Sequence, residues 1–254
     1  MKAYLLIVLI FTCNVVSFAQ KSSIRFQVGY GMGLNSQYLP EPRSLGFYPT
    51  PILKGSYGSG IQMELGYVYT FKSPFSFQID ANFLRSENLV GNLSTPTFTE
   101  PSATSSTQAS FVSIAPLFRV NINKQKLQPF FAIGPVIGTA LVDSRSKYVY
   151  QWYTARINST VVRTTTDVQQ EFTGSAVVGL KSILGMQYSF QRVSIYSQIS
   201  FTNISYTTNK ARIISLEVDG IDILSKATDA NALPAGMVLP FSSLSFNIGL
   251  AVKL

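Results

Sequence analysis

The sequence predicts an all-β protein, an eight-stranded antiparallel up-and-down transmembrane β-barrel. Three observations carry that reading. Hydropathy alternates with period two along most of the chain. The connections between the alternating runs switch between very short and very long. The composition is aromatic, with 13 Tyr and 18 Phe, yet only 13% of residues are charged, against ~25% in ordinary soluble domains.

The opening stretch, MKAYLLIVLIFTCNVVSFAQ, reads as an export signal. Lys2 gives a positive start. The apolar run from Tyr4 to Phe11 is too short to span a bilayer as a helix, and Ser17-Phe18-Ala19 offers small residues at a cleavage site. The expected division is a signal peptide over 1–19 and a barrel domain over 20–254. Cys13 also admits a lipoprotein reading, against which stand Thr12 before it and the apolar run that cleavage there would truncate. The remaining chain holds no Cys and no His, which excludes disulfides, thiolate chemistry and histidine metal sites. No metal and no cofactor is expected.

The first strand runs from about Ser23 to Leu34. Ile24, Phe26, Val28, Tyr30, Met32 and Leu34 share one face, against Arg25, Gln27 and three glycines. The second, about Gly58 to Phe71, sets Ile61, Met63, Leu65, Tyr67, Tyr69 and Phe71 against Gln62, Glu64 and Gly66. Lys72-Ser73-Pro74 turns the chain into a third strand, about Phe75 to Arg85. The fourth covers about Gln108 to Ile122, with Val112, Ile114, Phe118 and Val120 on one face. After a turn at 123–126, the fifth runs from about Leu127 to Val142 with a small-residue face of Ala132, Gly134, Gly138 and Ala140. The sixth, about Phe172 to Phe190, turns at Gln191-Arg192 into the seventh, about Val193 to Tyr206. The last is SSLSFNIGLAVKL, Ser242 to Leu254, with Leu244, Phe246, Ile248, Leu250, Val252 and Leu254 on one face.

The tight turns at 72–74, 123–126 and 191–192 all fall at one end, and the long connections at the other. Outer-membrane barrels have that asymmetry: short periplasmic turns, long external loops. The expected location is the cell outer membrane, with its lipid as a partner. The polar faces carry Gly, Ser, Asn, Gln and charges, a poor exterior for a soluble barrel and a good hydrogen-bonded lumen. Aromatics near the tight turns (Tyr69, Phe71, Phe75, Phe77, Phe118, Phe131, Tyr188, Phe190) form the expected interfacial girdle.

The net charge of +8 is distributed rather than clustered. Loop charges balance. The excess lies in the turns (Lys72, Lys124, Lys126, Arg192), at Lys21 and in the lumen, where Arg25, Arg119, Lys181 and Lys253 face Glu64 and Asp80. This is not a nucleic-acid footprint. Glu64 and Asp80 point inward from neighbouring strands, and two carboxylates that close require a cation between them. Arg25, Glu64, Asp80, Arg119 and Lys181 are therefore expected to form a lumen charge cluster. Arg119 and Arg25 are the candidate intervening cations. The cluster would either plug a small barrel or line an ion path.

Three loop motifs stand out. Asp219-Gly220 in ISLEVDGIDIL is a two-residue hairpin signal, which would pair Leu216 with Ile223. KYVYQWYTARI places Tyr148, Tyr150 and Trp152 on one face, either as strands continuing upward or as an external binding surface for glycan, lipopolysaccharide or protein. STPTFTEPSATSST is Ser/Thr/Pro-rich and reads as a mobile loop. An enzyme is not expected, because small-barrel hydrolases need a histidine base beside a serine, and no phosphate loop or dinucleotide motif occurs.

The stretch FVSIAPLFRVNINKQKLQPFFAIGPVIG, Phe111 to Gly138, resembles the small bacterial outer-membrane β-barrel domain family, porin-like or PorT-like. There an Ile-x-Pro strand leads through a basic turn to a Pro-aromatic strand ending in Gly-Pro. Ile114, Pro116, Pro129, Phe130, Gly134 and Pro135 occupy those places, and VVGLKSILGMQYSF is similar too. Leu254 departs from the aromatic often found at the end of such barrels. The resemblance implies a barrel handled by assembly machinery during biogenesis. It carries no agreed catalytic residues, and some members serve secretion or envelope complexes. The expected function is a structural or binding barrel, such as an accessory of a complex of that kind, with a small-solute pore or a soluble periplasmic lipid-binding barrel as alternatives.

Overall fold

The computed structural model describes residues 22–34, 37–39, 53–93, 102–122, 126–153, 161–226 and 236–254, without the side chains at 37–39, 53–54, 72, 150–153, 161–163 and 226. The signal segment, Lys21 and Lys124 lie outside these residues.

The described strands are β1 (Ser22–Gly33), β2 (Gln37–Leu39), β3 (Leu53–Gly55), β4 (Gly60–Lys72), β5 (Phe75–Ser86), β6 (Leu89–Leu93), β7 (Ser102–Asn121), β8 (Leu127–Tyr153), β9 (Val161–Gly174), β10 (Val177–Ser189), β11 (Val193–Asn203), β12 (Ser205–Val218), β13 (Ile221–Asp222), β14 (Val238–Pro240) and β15 (Ser243–Lys253). Eight of them close a ring in the order β15-β1-β4-β5-β7-β8-β10-β11, and β11 returns to β15. Every pairing is antiparallel. The first and last strands meet in register from Ser23 opposite Lys253 to Gly33 opposite Ser243. Closure leaves no unpaired edge in lipid, where a free backbone amide has no water to bond.

The alternation assigns the faces. Ile24, Phe26, Val28, Phe246, Ile248 and Leu250 are exposed on the outside, while Arg25, Gln27, Glu64, Gln198, Ser245 and Asn247 are buried within. A soluble lipid-binding barrel would present the reverse, apolar in and polar out. The girdle is present: Phe75 stacks on Phe118 with ring centroids 5.6 Å apart, Tyr69 meets Phe71 edge-on at 5.4 Å, and Tyr188 meets Phe190 at 5.0 Å.

Pro116, Gly134 and Pro135 have a local structural reason. The β7–β8 ladder runs through Ile114 opposite Ile137, skips three residues, and resumes at Phe118 opposite Ile133. Each proline lacks the N–H that a rung would use. A Cβ on Gly134 would sit 2.1 Å from the Pro116 carbonyl oxygen, so only glycine lets the two backbones approach here.

The outer halves differ from the expected boundaries. β7 begins at Ser102 and β8 reaches Tyr153. The sixth and seventh barrel strands each continue past a break, at Ser175-Ala176 and at Ile204. Above the breaks β8 pairs with β9, and β9 with β12. A tall sheet thus rises from the barrel at the end of the long connections. Part of the stretch read as a mobile loop, Ser102–Thr107, is strand paired with β8 and β6. The Asp219-Gly220 hairpin forms as expected. Val218 pairs with Ile221, φ is 53° and 79° at the two turn residues, and Ile223 N donates to Leu216 O at 2.9 Å.

Candidate functional site

The lumen is filled in two tiers. In the polar tier, Glu64 on β4 accepts hydrogen bonds from Gln27 Nε2 at 2.5 Å and from Lys181 Nζ, and Lys181 Nζ also lies 3.6 Å from Asp80 Oδ2. Asp80 Oδ2 in turn accepts from Gln78 Nε2 at 2.7 Å. All five side chains are buried. The strands supply them by register. Gln27 stands opposite Glu64, and Asp80 lies two rungs away on β5. Lys181 comes from β10 on the far side of the ring.

The intervening cation is therefore Lys181, not Arg25 or Arg119. The arginines are tied to amides and rings instead. Arg25 Nη2 donates to Gln198 Oε1 at 2.7 Å, and its guanidinium lies 4.0 Å from the Tyr196 ring centroid and 5.3 Å from that of Phe130. Arg119 donates to Asn121 Oδ1 at 2.9 Å and Gln187 Oε1 at 2.8 Å, and its guanidinium lies 3.8 Å from the Phe130 ring centroid. Nε and Nη1 of Arg25 have no hydrogen-bond partner; ring faces are what they meet, and a quadrupole stabilises a desolvated cation there. The tier carries three cations and two carboxylates.

The second tier, nearer the long connections, is aromatic. Phe241 packs against Phe111 at 5.0 Å, Tyr57 at 5.5 Å and Tyr206 at 5.9 Å. Tyr57 and Phe241 come from irregular segments that fold inward: Tyr57 N donates to Pro240 O at 3.0 Å and Phe241 N to Ile204 O at 3.2 Å. Tyr206 OH donates to Ala140 O at 2.7 Å. Burial pushes the Tyr57 phenol up, against the hydrogen bond with Thr107. Below the polar tier, a cavity of about 290 Å³ lies at the short-turn end, with Arg119 among its lining residues.

A lipid-facing apolar shell, a polar interior and a closed eight-strand ring find their counterpart in known sequences. The family model of the outer membrane protein beta-barrel domain matches residues 18–207. The chain belongs to that family. The protein is an outer-membrane β-barrel, and its place is the cell outer membrane. No curated protein matches it in sequence. Similar solved structures include Neisserial surface protein A, at 10% identity and a TM-score of 0.42, with 92% of this chain and 97% of that one covered. OprG from Pseudomonas aeruginosa matches at 10% identity and 0.49, covering 92% and 95%. A major outer membrane protein from Thermus thermophilus matches at 11% and 0.37, covering 92% and 99%.

In this outer-membrane barrel the tight turns face the periplasm and the tall sheet stands outside the cell. The inner side of that sheet holds a second apolar cluster of Ala103, Tyr148, Val168, Ile213 and Leu216. Tyr148, expected on an external binding surface, is 4% exposed and belongs to this cluster, because its parity in β8 is the lumen parity. The side chains of Tyr150 and Trp152 lie outside the described residues; their backbones pair with Thr164 and Val162. Outside, the exposed Arg145 forks onto Asp167 at 2.8 Å, which raises the guanidinium's affinity for its proton.

Reading the strands alone missed Phe130, Tyr196, Gln78 and Gln198 as members of the polar tier. Parity contained the signal. Phe130 and Tyr196 are aromatics on inward faces otherwise made of small and polar residues, and an aromatic there has a guanidinium to cover.

Proposed function

We propose that this outer-membrane barrel is a sealed scaffold whose extracellular sheet is a binding platform, rather than a small-solute pore. The observation that supports it is the double closure of the lumen. A solute would have to part the Glu64–Lys181–Asp80 bridge and then the Phe111–Phe241–Tyr57 packing. Eight strands enclose an interior that side chains can fill, and here large ones fill it: Arg25, Tyr196, Phe130, Phe241 and Tyr206 are each almost fully buried.

The platform is the outward side of β8, β9 and β12, where Asp143, Arg145, Lys147, Arg212 and Glu217 are exposed beyond the membrane. Mixed charge of this kind suits a protein or glycan partner in the envelope. The resemblance to PorT-like barrels supports a role as an accessory of a secretion or envelope complex. Planar-bilayer recording tests the reading. The purified barrel is expected to give no unitary current steps in molar potassium chloride, while native outer membranes yield a co-purifying envelope partner. Reproducible channel steps from the wild-type protein would overturn it.

A further inference from the structure

The periplasmic rim carries a basic groove. A groove of about 950 Å³ there is lined by Lys126, Arg192 and Lys253 together with Tyr188, Phe190 and Val193, and no carboxylate lines it among the described residues. Main-chain bonds fix where these side chains leave the backbone. Ser189 N donates to Lys126 O at 2.8 Å, and Lys253 N donates to Arg192 O at 2.8 Å. Arg192 and Lys253 therefore emerge side by side, and like charges so placed repel unless an anion lies between them. Lys253 also lines the 290 Å³ cavity together with buried Arg119. The polar tier above has one more cation than carboxylates, so the lumen adds positive potential to the rim.

One wall of the groove faces hydrocarbon. Tyr188, Phe190 and Val193 are exposed there as part of the girdle. A soluble anion gains nothing from that wall, whereas a lipid fits both sides. We propose that this groove binds the phosphate headgroup of an anionic phospholipid of the periplasmic leaflet. Lys126, Arg192 and Lys253 meet the phosphate, and Tyr188 and Phe190 lie along the glycerol and the first part of the acyl chains.

The test uses the full barrel in nanodiscs of phosphatidylcholine doped with phosphatidylglycerol, with retained lipid identified by native mass spectrometry. Wild type is expected to enrich phosphatidylglycerol. Lys126→Gln and Arg192→Gln are each expected to lower that enrichment, by roughly fivefold per cation removed. Arg85→Gln, exposed at the end of β5 away from the short turns, is expected to leave it unchanged. Heat-modifiable migration reports folding of each variant, and either of the two rim variants suffices if the other does not fold. Unchanged enrichment in folded Lys126→Gln and Arg192→Gln overturns the proposal. So does an equal loss in Arg85→Gln, which would mean bulk charge alone. Displacement of the lipid by millimolar inorganic phosphate overturns it as well, since the site would then belong to a soluble anion.

Discussion

Lys181 on β10 bonds Glu64 on β4, and these strands stand opposite each other around the ring. One ammonium thus ties two walls of the barrel together and serves two carboxylates, Glu64 and Asp80. Removing one partner of a buried pair costs far more than the pair contributes, because the other charge stays desolvated.

Lys181→Met is therefore expected to cost about 3–5 kcal/mol, leaving two buried carboxylates to face each other. Glu64→Gln is expected to cost less, about 1–3 kcal/mol, because Asp80 remains a counter-charge and the new amide can still accept from Gln27 or Lys181. Urea unfolding in lipid vesicles measures both. If Glu64→Gln is the more damaging change, Lys181 is not the shared cation.

Phe241→Ala is expected to destabilise by about 3–5 kcal/mol, since its ring joins Phe111, Tyr57 and Tyr206. It is expected to open no channel, because the polar tier still closes the lumen below. Current steps from this single variant would show that the aromatic tier alone holds the seal.

Two glycines are expected to behave differently. Gly134→Ala puts a Cβ against a backbone carbonyl that cannot rotate away, and the folded, heat-modifiable form should be lost or sharply reduced. Gly220 has nothing within 4 Å of the added atom, only a φ of 79°. Gly220→Ala should cost about 1 kcal/mol and leave barrel yield intact. Equal yields from the two variants would refute the close-approach account of Gly134.

Arg145→Ala is expected to change stability by no more than about 1 kcal/mol, although its fork onto Asp167 has good geometry. The Arg145 side chain is 65% exposed, so water and salt compete for it. A large loss, insensitive to salt, would indicate that this face is covered in the native envelope.

Deleting Val252 to Leu254 removes a rung on two sides at once. Val252 pairs with both Ile24 and Val193, Lys253 N bonds Arg192 O, and Leu254 N bonds Ser22 O at 3.0 Å. The truncated protein should be missing from the outer-membrane fraction; normal insertion would sink this account of closure.

The barrel itself was legible because lipid imposes hydropathy contrast on every second residue. β1 and β15 read off almost to the residue. The contrast disappears where the strands leave the membrane. Ser105 faces Ser146 and Thr107 faces Ser144 at 3.1 Å across the β7–β8 pair. A ladder of hydroxyls has no alternation to read, so the stretch resembles a loop. The lumen charges were legible as a set, because parity assigns the face. Their partners were not. Which cation meets Glu64 depends on how far opposite strands are staggered around the ring, and local spacing does not contain that quantity. The aromatic tier was hidden for another reason: Tyr57 and Phe241 lie in irregular segments without any period.

Ser22 and Leu254 share a main-chain hydrogen bond. Barrel closure therefore sets Ser22 and Leu254 a single rung apart on the periplasmic side. A short linker would join them, and new ends cut at the external Asp219-Gly220 turn would leave every membrane strand whole. Refolded from denaturant, such a permutant has the same ring without a terminal strand. It would separate two roles that the last strand otherwise combines, sealing the cylinder and presenting the chain for insertion.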